Sequence, residues 1–151
     1  MLLDTGMRIG EALGLRHEDL HLAERHVVVM PRRNDNRAHT KSGRIRTIPA
    51  SAELMRLYAD YLNNEYGSSI RTTCSSTCGA AHMGPLCYPA VYDLVRRLRR
   101  STGITFGPHL FRHTYATWLL RKGAGMESVK KFLGHASVTD YDTYGHLRDR
   151  K

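Results

Sequence analysis

The sequence predicts a mainly helical fold with a small antiparallel β-sheet, the α+β class. Apolar residues recur at helical spacing in several segments that glycine or proline separates. One early segment instead carries three consecutive valines, which is typical of a buried strand. The 151 residues suffice for one domain with its own core.

The first third of the chain contains both kinds of element. Leu2 and Leu3 precede Gly6, which indicates the last turn of a helix, and residues 7–15 predict a second, short helix. Residues 26–30 predict a strand, and the alternation in residues 45–48 predicts its hairpin partner across a long polar loop.

Helices dominate the remainder. One follows Ser51, a favourable N-cap, and ends at Gly67. The next two begin at Pro89 and Pro108, and a fourth spans residues 126–133 before a last turn or two over 139–144. In the helix that begins at Pro89, the residues expected to face the core are Val91, Leu94, Val95 and Leu98.

Charge and hydropathy narrow the classes of function. The net charge of +9 and the pI of about 9.8 favour a polyanionic partner such as nucleic acid, although a merely basic soluble domain is the alternative. No apolar run reaches membrane-spanning length, and the first residues do not resemble a signal peptide. We therefore expect a cytoplasmic protein without a membrane partner.

The segment that best suits chemistry surrounds His109 and Arg112. The two side chains are three residues apart in the first turn of a predicted helix, so they share one face near free backbone N–H groups. Arginine can hold two phosphate oxygens, and histidine can move a proton near neutral pH. The motif predicts a phosphate site, and an ordinary charged surface helix is the alternative.

Three further motifs accompany this pair. They are Thr5–Leu15 with Arg8 and Glu11, the hairpin run Thr40-Lys41-Ser42-Gly43, and Leu133–Leu147 with His135 and Tyr144. In this order and spacing, the four motifs together resemble the tyrosine recombinase (phage integrase) family, and specifically its transposon-borne members. Taken singly, each residue has a structural explanation, for example a solvated Arg8–Glu11 pair.

The resemblance implies a role for each matching residue. Tyr144 would attack a DNA phosphodiester, and Tyr141 is a competing tyrosine that fits the spacing from His135 less well. Glu11 would support Arg8. The catalytic set would be Arg8, Lys41, His109, Arg112, His135 and Tyr144.

The resemblance also implies the partners. These are double-stranded DNA and further copies of the chain on that DNA, in the bacterial cytoplasm at the nucleoid. Site-specific strand exchange of this kind needs no metal, cofactor or small-molecule substrate. Exposed arginines on one helix are candidate contacts to the DNA backbone, with a solvated helix face as the alternative: Arg96, Arg97, Arg99 and Arg100.

Two departures from the family pattern bear on activity. The chain is expected to be a single, partial catalytic domain over residues 1–151, truncated at its N-terminus, without the family's separate N-terminal core-binding domain. Residues 68–84 are polar and atypical where relatives have an apolar strand. Our hypothesis for this segment is a compensated frameshift, because codons that can encode part of it spell an apolar strand when they are read in a shifted frame.

Two rival functions remain open at this stage. One is an inactive remnant that binds only DNA or intact recombinases. The other is a zinc-binding module, although the ligand spacings are not the usual ones. Its candidate ligands are Cys74, Cys78, His82 and Cys87.

Overall fold

The architecture was obtained as a computed structural model that describes residues 1–34, 36–40, 43–64 and 85–134. Helices and a small sheet make up these residues, as predicted. The helices are α1 (Leu2–Thr5), α2 (Ile9–Leu13), α3 (Ala52–Asn64), α4 (Tyr88–Thr102), α5 (Pro108–Arg121) and α6 (Met126–Leu133). The strands are β1 (Leu20–His21), β2 (His26–Val29) and β3 (Arg46–Pro49), and a 3-10 turn (His17–Asp19) precedes β1.

The sheet is antiparallel in the order β1-β2-β3. Val27 pairs with Ile48 on β3 and with Leu20 on β1, so all three apolar side chains meet on the inner face. The hairpin of β2 and β3 was predicted, but β1 was not. Two residues are too few to show the alternation that identifies a strand from sequence.

Both short helices at the start of the chain have identifiable ends. Gly6 ends α1 in the left-handed conformation, with φ at 61°. The helix predicted over residues 7–15 is shorter, because Arg8 is extended and its backbone N–H donates to Glu11 Oε2 at 2.8 Å. Glu11 therefore caps α2 from inside its first turn, and the helix begins at Ile9.

Two hydrophobic clusters form the core of the described residues. The first joins the sheet to α3 and contains Val27, Ile48 and Met55. Ser51 caps that helix as predicted, because its Oγ accepts a hydrogen bond from Leu54 N at 3.1 Å. The second cluster joins α5 to α6 around Ala116, and α5 also packs against α1.

The predicted inner face of α4 is only partly correct. Val95 is buried, but Leu94 and Leu98 are exposed by 44% and 42%. Within the described residues, α4 makes its main contacts with α2, at its first turn. A helix anchored mainly at one end buries less of its apolar stripe than its sequence period suggests.

Among these same residues, none of the helices is both long enough and apolar enough to cross a membrane.

Ile48→Ala should lower the free energy of unfolding by about 2–5 kcal/mol, because Ile48 is fully buried between the sheet and α3. Ile45→Ala is the matched control, since Ile45 lies three residues earlier and is 62% exposed; it should change stability by about 0.5 kcal/mol or less. Urea denaturation followed by circular dichroism measures both. Equal losses in the two variants would contradict the assignment of the core.

Candidate active site

A pocket of about 160 Å³ lies where the starts of α2, α4 and α5 meet. It brings together Arg8, His109 and Arg112, which the sequence placed in one site although about 100 residues separate the first from the other two. The complete lining is Met7, Arg8, Ile9, Gly10, His39, Tyr88, Pro108, His109 and Arg112.

Arg112 is held rigidly from behind the pocket. It is only 6% exposed, and its Nη1 and Nη2 donate to the carbonyls of Gly6 at 2.9 Å and Leu133 at 2.6 Å. Both carbonyls lie at helix ends, where they lack partners within their own helix. These neutral acceptors fix the guanidinium without cancelling its charge.

Arg8 lies next to Arg112 at the N-cap of α2. Its Nη1 is 3.5 Å from the Gly134 carbonyl oxygen and 3.6 Å from Glu11 Oε1. Glu11 is only 2% exposed, so the alternative of a solvated Arg8–Glu11 pair is wrong.

Arg46, which the sequence analysis missed, is the main partner of Glu11. Its Nη1 and Nη2 donate to the two carboxylate oxygens at 3.0 and 2.7 Å, and its Nε donates to the Phe132 carbonyl at 2.9 Å. A signal was present: position 46 is two residues before Ile48, so strand alternation places it on the inner face. A buried cation there requires a buried anion nearby.

The charge state of Glu11 follows from these contacts. Burial alone would raise the pKa of its carboxyl group. The hydrogen bonds and charge of Arg46, with smaller contributions from the Arg8 N–H and guanidinium, outweigh burial and hold the pKa below its ordinary value of 4.5. Glu11 is therefore an anion that secures two arginines.

The first turn of α5 presents His109 to the pocket as expected, and His109 is exposed. Six residues further along α5, Tyr115 is buried against α6. Burial, with a smaller contribution from the Asp4 charge, raises the pKa of Tyr115 to about 12. The Tyr115 phenol is therefore neutral near physiological pH.

Two further pocket residues were not predicted, His39 and Tyr88. His39 lies in the loop between β2 and β3, and Tyr88 is the first residue of α4. Neither belongs to a motif, and only the folded chain brings both beside Arg8. Asn36 joins their segments to α2, because its amide donates to the carbonyls of Leu13 at 3.0 Å and Leu86 at 2.8 Å.

Several predicted site residues lie outside the described residues, and their roles stay predictions. These are Lys41, His135 and Tyr144, the competing Tyr141, and three of the four candidate zinc ligands, Cys74, Cys78 and His82. The atypical segment 68–84 and the predicted last turn at 139–144 also lie outside them. Within the described part of the chain, no group of three or more acidic, histidine or cysteine side chains is placed to hold a metal.

The four arginines of α4 are exposed and do not line the pocket. Arg96 pairs with Asp93 at 2.8 Å, and Arg99 donates to the Phe106 carbonyl just before α5. Arg99 thus helps to place α5, while contact of Arg96, Arg97, Arg99 and Arg100 with DNA remains a prediction.

A larger cleft, of about 850 Å³, lies between β3 and α6. Arg44, Lys130 and Lys131 line it, but Arg8, His109 and Arg112 do not. We place the site in the smaller pocket, because chemistry on a phosphate needs fixed, convergent cations more than it needs volume.

Comparison with known proteins identifies the family. A sequence profile of the phage integrase family matches residues 1–151. The chain belongs to the phage integrase family. Transposase A from transposon Tn554 of Staphylococcus aureus is 43% identical over 154 residues, which cover 99% of the chain and 43% of that protein. Tyrosine recombinase XerD of Halalkalibacterium halodurans is 29% identical, over 97% of the chain and 47% of that protein.

Solved structures agree on this integrase fold. The crystal structure of XerA recombinase matches 98% of the chain and 52% of its own, with a TM-score of 0.77 and 26% identity. The Tn1549 transposon integrase in complex with circular intermediate DNA matches 95% of the chain and 52% of its own, with a TM-score of 0.71 and 24% identity. The chain spans less than half the length of the two relatives named above.

Arg46→Met should lower the free energy of unfolding by about 3–5 kcal/mol, because it leaves the buried Glu11 carboxylate without its main partner. The double variant Glu11→Met/Arg46→Met should regain most of that loss, since an apolar pair can replace a buried ion pair. Urea denaturation of both variants measures the difference. A double variant no more stable than Arg46→Met would argue against the pair.

Stability should also depend on pH through Glu11. Its pKa is lowered in the folded chain, so its stabilisation is fully present above the unfolded value of 4.5 and is lost as pH falls below it. The difference in unfolding free energy between wild type and Glu11→Gln should therefore be largest near neutral pH and shrink below pH 4.5. Denaturation across a pH series measures it; a difference that does not change with pH would refute the assignment.

Proposed function

We propose that the chain is the catalytic part of a site-specific DNA recombinase that cuts and rejoins strands through Tyr144. The observation that carries this proposal is the convergence of Arg8, His109 and Arg112 on one pocket in a member of the phage integrase family. Two fixed guanidinium groups and an exposed imidazole suit a phosphodiester, whose negative charge grows as an oxygen attacks in line.

The reaction is a transfer of one phosphodiester bond. The Tyr144 phenol oxygen attacks the phosphorus, the bond to the 5′ oxygen breaks, and a 3′-phosphotyrosyl link forms. Arg8 and Arg112 hold the non-bridging oxygens and stabilise their charge. Lys41 gives the leaving 5′ oxygen a proton, and His109 and His135 assist proton transfer. A 5′-hydroxyl from a second strand then attacks the link and releases the tyrosine.

Charge and structural neighbours support double-stranded DNA as the partner. The net charge of +9 favours a polyanion. The Tn1549 transposon integrase has been solved with transposon right end DNA, and XerH site-specific recombinase with its difH substrate. By analogy with these proteins, we place this chain on duplex DNA. The family resemblance further leads us to propose that it acts at the bacterial nucleoid as one of several copies.

Tyr144→Phe should abolish covalent attachment to DNA, because phenylalanine lacks the attacking oxygen. The substrate is a pool of duplexes with random sequence in which a bridging sulfur replaces the 5′ oxygen at each candidate step. A thiol that leaves rejoins poorly, so cleaved products accumulate as protein–DNA adducts that survive denaturation.

Tyr141→Phe is the matched control and should retain the adduct. Sequencing the captured DNA identifies the target site. An adduct that persists in Tyr144→Phe and disappears in Tyr141→Phe would reassign the nucleophile. DNA that binds in a mobility-shift assay without forming any adduct would favour the remnant that only binds DNA.

A further inference from the structure

The hydroxyl group of Tyr88 points at the backbone of α2 beside the two arginines. Tyr88 lines the pocket together with Arg8 and Arg112. A Cβ atom at position 10 would lie 2.3 Å from the Tyr88 Oη and 2.6 Å from the His39 carbonyl oxygen. Only glycine fits at position 10, so the close approach of the phenol depends on Gly10.

Asn36 holds the backbone that leads into Tyr88. Its amide donates to the Leu13 carbonyl at the end of α2 and to the Leu86 carbonyl two residues before Tyr88. Its Oδ1 accepts a hydrogen bond from Ala38 N at 3.0 Å, which orders the adjoining loop. One side chain therefore ties the backbone just before α4 to the end of α2.

No hydrogen bond of the Tyr88 hydroxyl occurs within the described part of the chain. By contrast, the buried Tyr58 hydroxyl lies 2.5 Å from His17 Nδ1. Water can hydrate a half-buried hydroxyl that no described protein group engages, and a ligand oxygen can take the place of that water. A hydroxyl held in a pocket between cations is therefore positioned to meet a ligand that accepts hydrogen bonds.

Part of the hydrogen-bonding capacity of the two arginines is used within the protein, so a third donor would strengthen phosphate binding. At least two N–H groups of Arg112 donate to the Gly6 and Leu133 carbonyls, and Arg8 shares Nη1 with Gly134 and Glu11. We infer that the Tyr88 hydroxyl donates a hydrogen bond to a non-bridging oxygen of the phosphate bound by Arg8 and Arg112. This inference rests on the proposed function and adds a catalytic residue outside the motifs that define the site.

Binding of dimethyl phosphate tests the contact without knowledge of the DNA site. This small phosphodiester has two non-bridging oxygens and no sequence. In the full chain with ¹³C-labelled tyrosine and histidine rings, titration should shift the resonances of Tyr88 and His109 with the same dissociation constant. Tyr92, one turn further along α4 and 47% exposed, should not shift. A shift of the His109 resonances without a shift of the Tyr88 resonances would overturn the inference.

Cleavage of the captured DNA site tests the catalytic role. Tyr88→Phe removes only the hydroxyl oxygen and should slow single-turnover adduct formation on the order of a hundredfold, the usual effect of losing one oxyanion donor. Tyr92→Phe is the matched control and should react at the wild-type rate. Unchanged thermal unfolding in both variants separates a loss of chemistry from a loss of fold.

Substrates with one methylphosphonate identify the oxygen that Tyr88 contacts. In each diastereomer, a methyl group replaces one non-bridging oxygen at the cleaved phosphate. With one diastereomer, wild type and Tyr88→Phe should react equally, because the contacted oxygen is already gone. With the other, the variant should remain slower. Equal slowing on both diastereomers would show that Tyr88 acts only on the structure.

The outcomes separate this inference from the proposed function. If wild type forms an adduct and Tyr88→Phe matches its rate, the function stands and the inference fails. If wild type forms no adduct but dimethyl phosphate shifts Tyr88, the pocket binds phosphate as inferred and the proposed chemistry fails. Mass spectrometry that places the adduct on Tyr88 itself would overturn the inference, because Tyr88 would then be the nucleophile.

Discussion

The buried ion pair between Glu11 and Arg46 is the interaction on which the site depends. The Glu11 carboxylate caps α2 and approaches Arg8, and the Arg46 guanidinium, which β3 carries, also donates to the Phe132 carbonyl near the end of α6. The two hydrophobic clusters lie on either side of it. Because a buried charge is costly without a partner, the hairpin and α6 cannot shift independently without exposing one member of the pair. The geometry of the pocket is thereby linked to the folding of both halves.

The same arrangement determines how much positive charge remains for a ligand. Glu11 is matched by Arg46, whereas Arg112 donates to the neutral carbonyls of Gly6 and Leu133. Arg8, Arg46, Arg112 and Glu11 together therefore carry a net excess of two positive charges. Anchoring a cation through helix-end carbonyls orients it as firmly as a carboxylate would, yet leaves its attraction for an anion intact. This is the electrostatic condition that stabilisation of a phosphoryl transition state requires.

Much of this could be predicted from sequence, because local patterns carry it. Helical periodicity and the glycine and proline ends located α3, α5 and α6, and consecutive valines located β2. The spacing of His109 and Arg112 placed both in one helical turn, and the family pattern added Arg8. Three site residues were not predicted, because their roles depend on contacts between distant segments: Arg46, His39 and Tyr88. Leu94 and Leu98 were predicted to be buried but are exposed, because periodicity indicates which face of a helix is apolar but not whether another element covers it.

The carbonyls that hold the arginines exist because two helices stop where they do. Gly6 and Gly134 both adopt the left-handed conformation, with φ at 61° and 64°, and end α1 and α6 where the Gly6 and Leu133 carbonyls accept hydrogen bonds from Arg112. Successive residues of a helix are rotated by about 100°, so moving either end by one position would turn its last carbonyl away. Insertion or deletion of a single residue in α1 or α6 would thus remove a carbonyl that orients Arg112 and weaken anion binding, although no charged residue would be lost. The residue at which each of these helices ends therefore matters to the site as much as the arginines do.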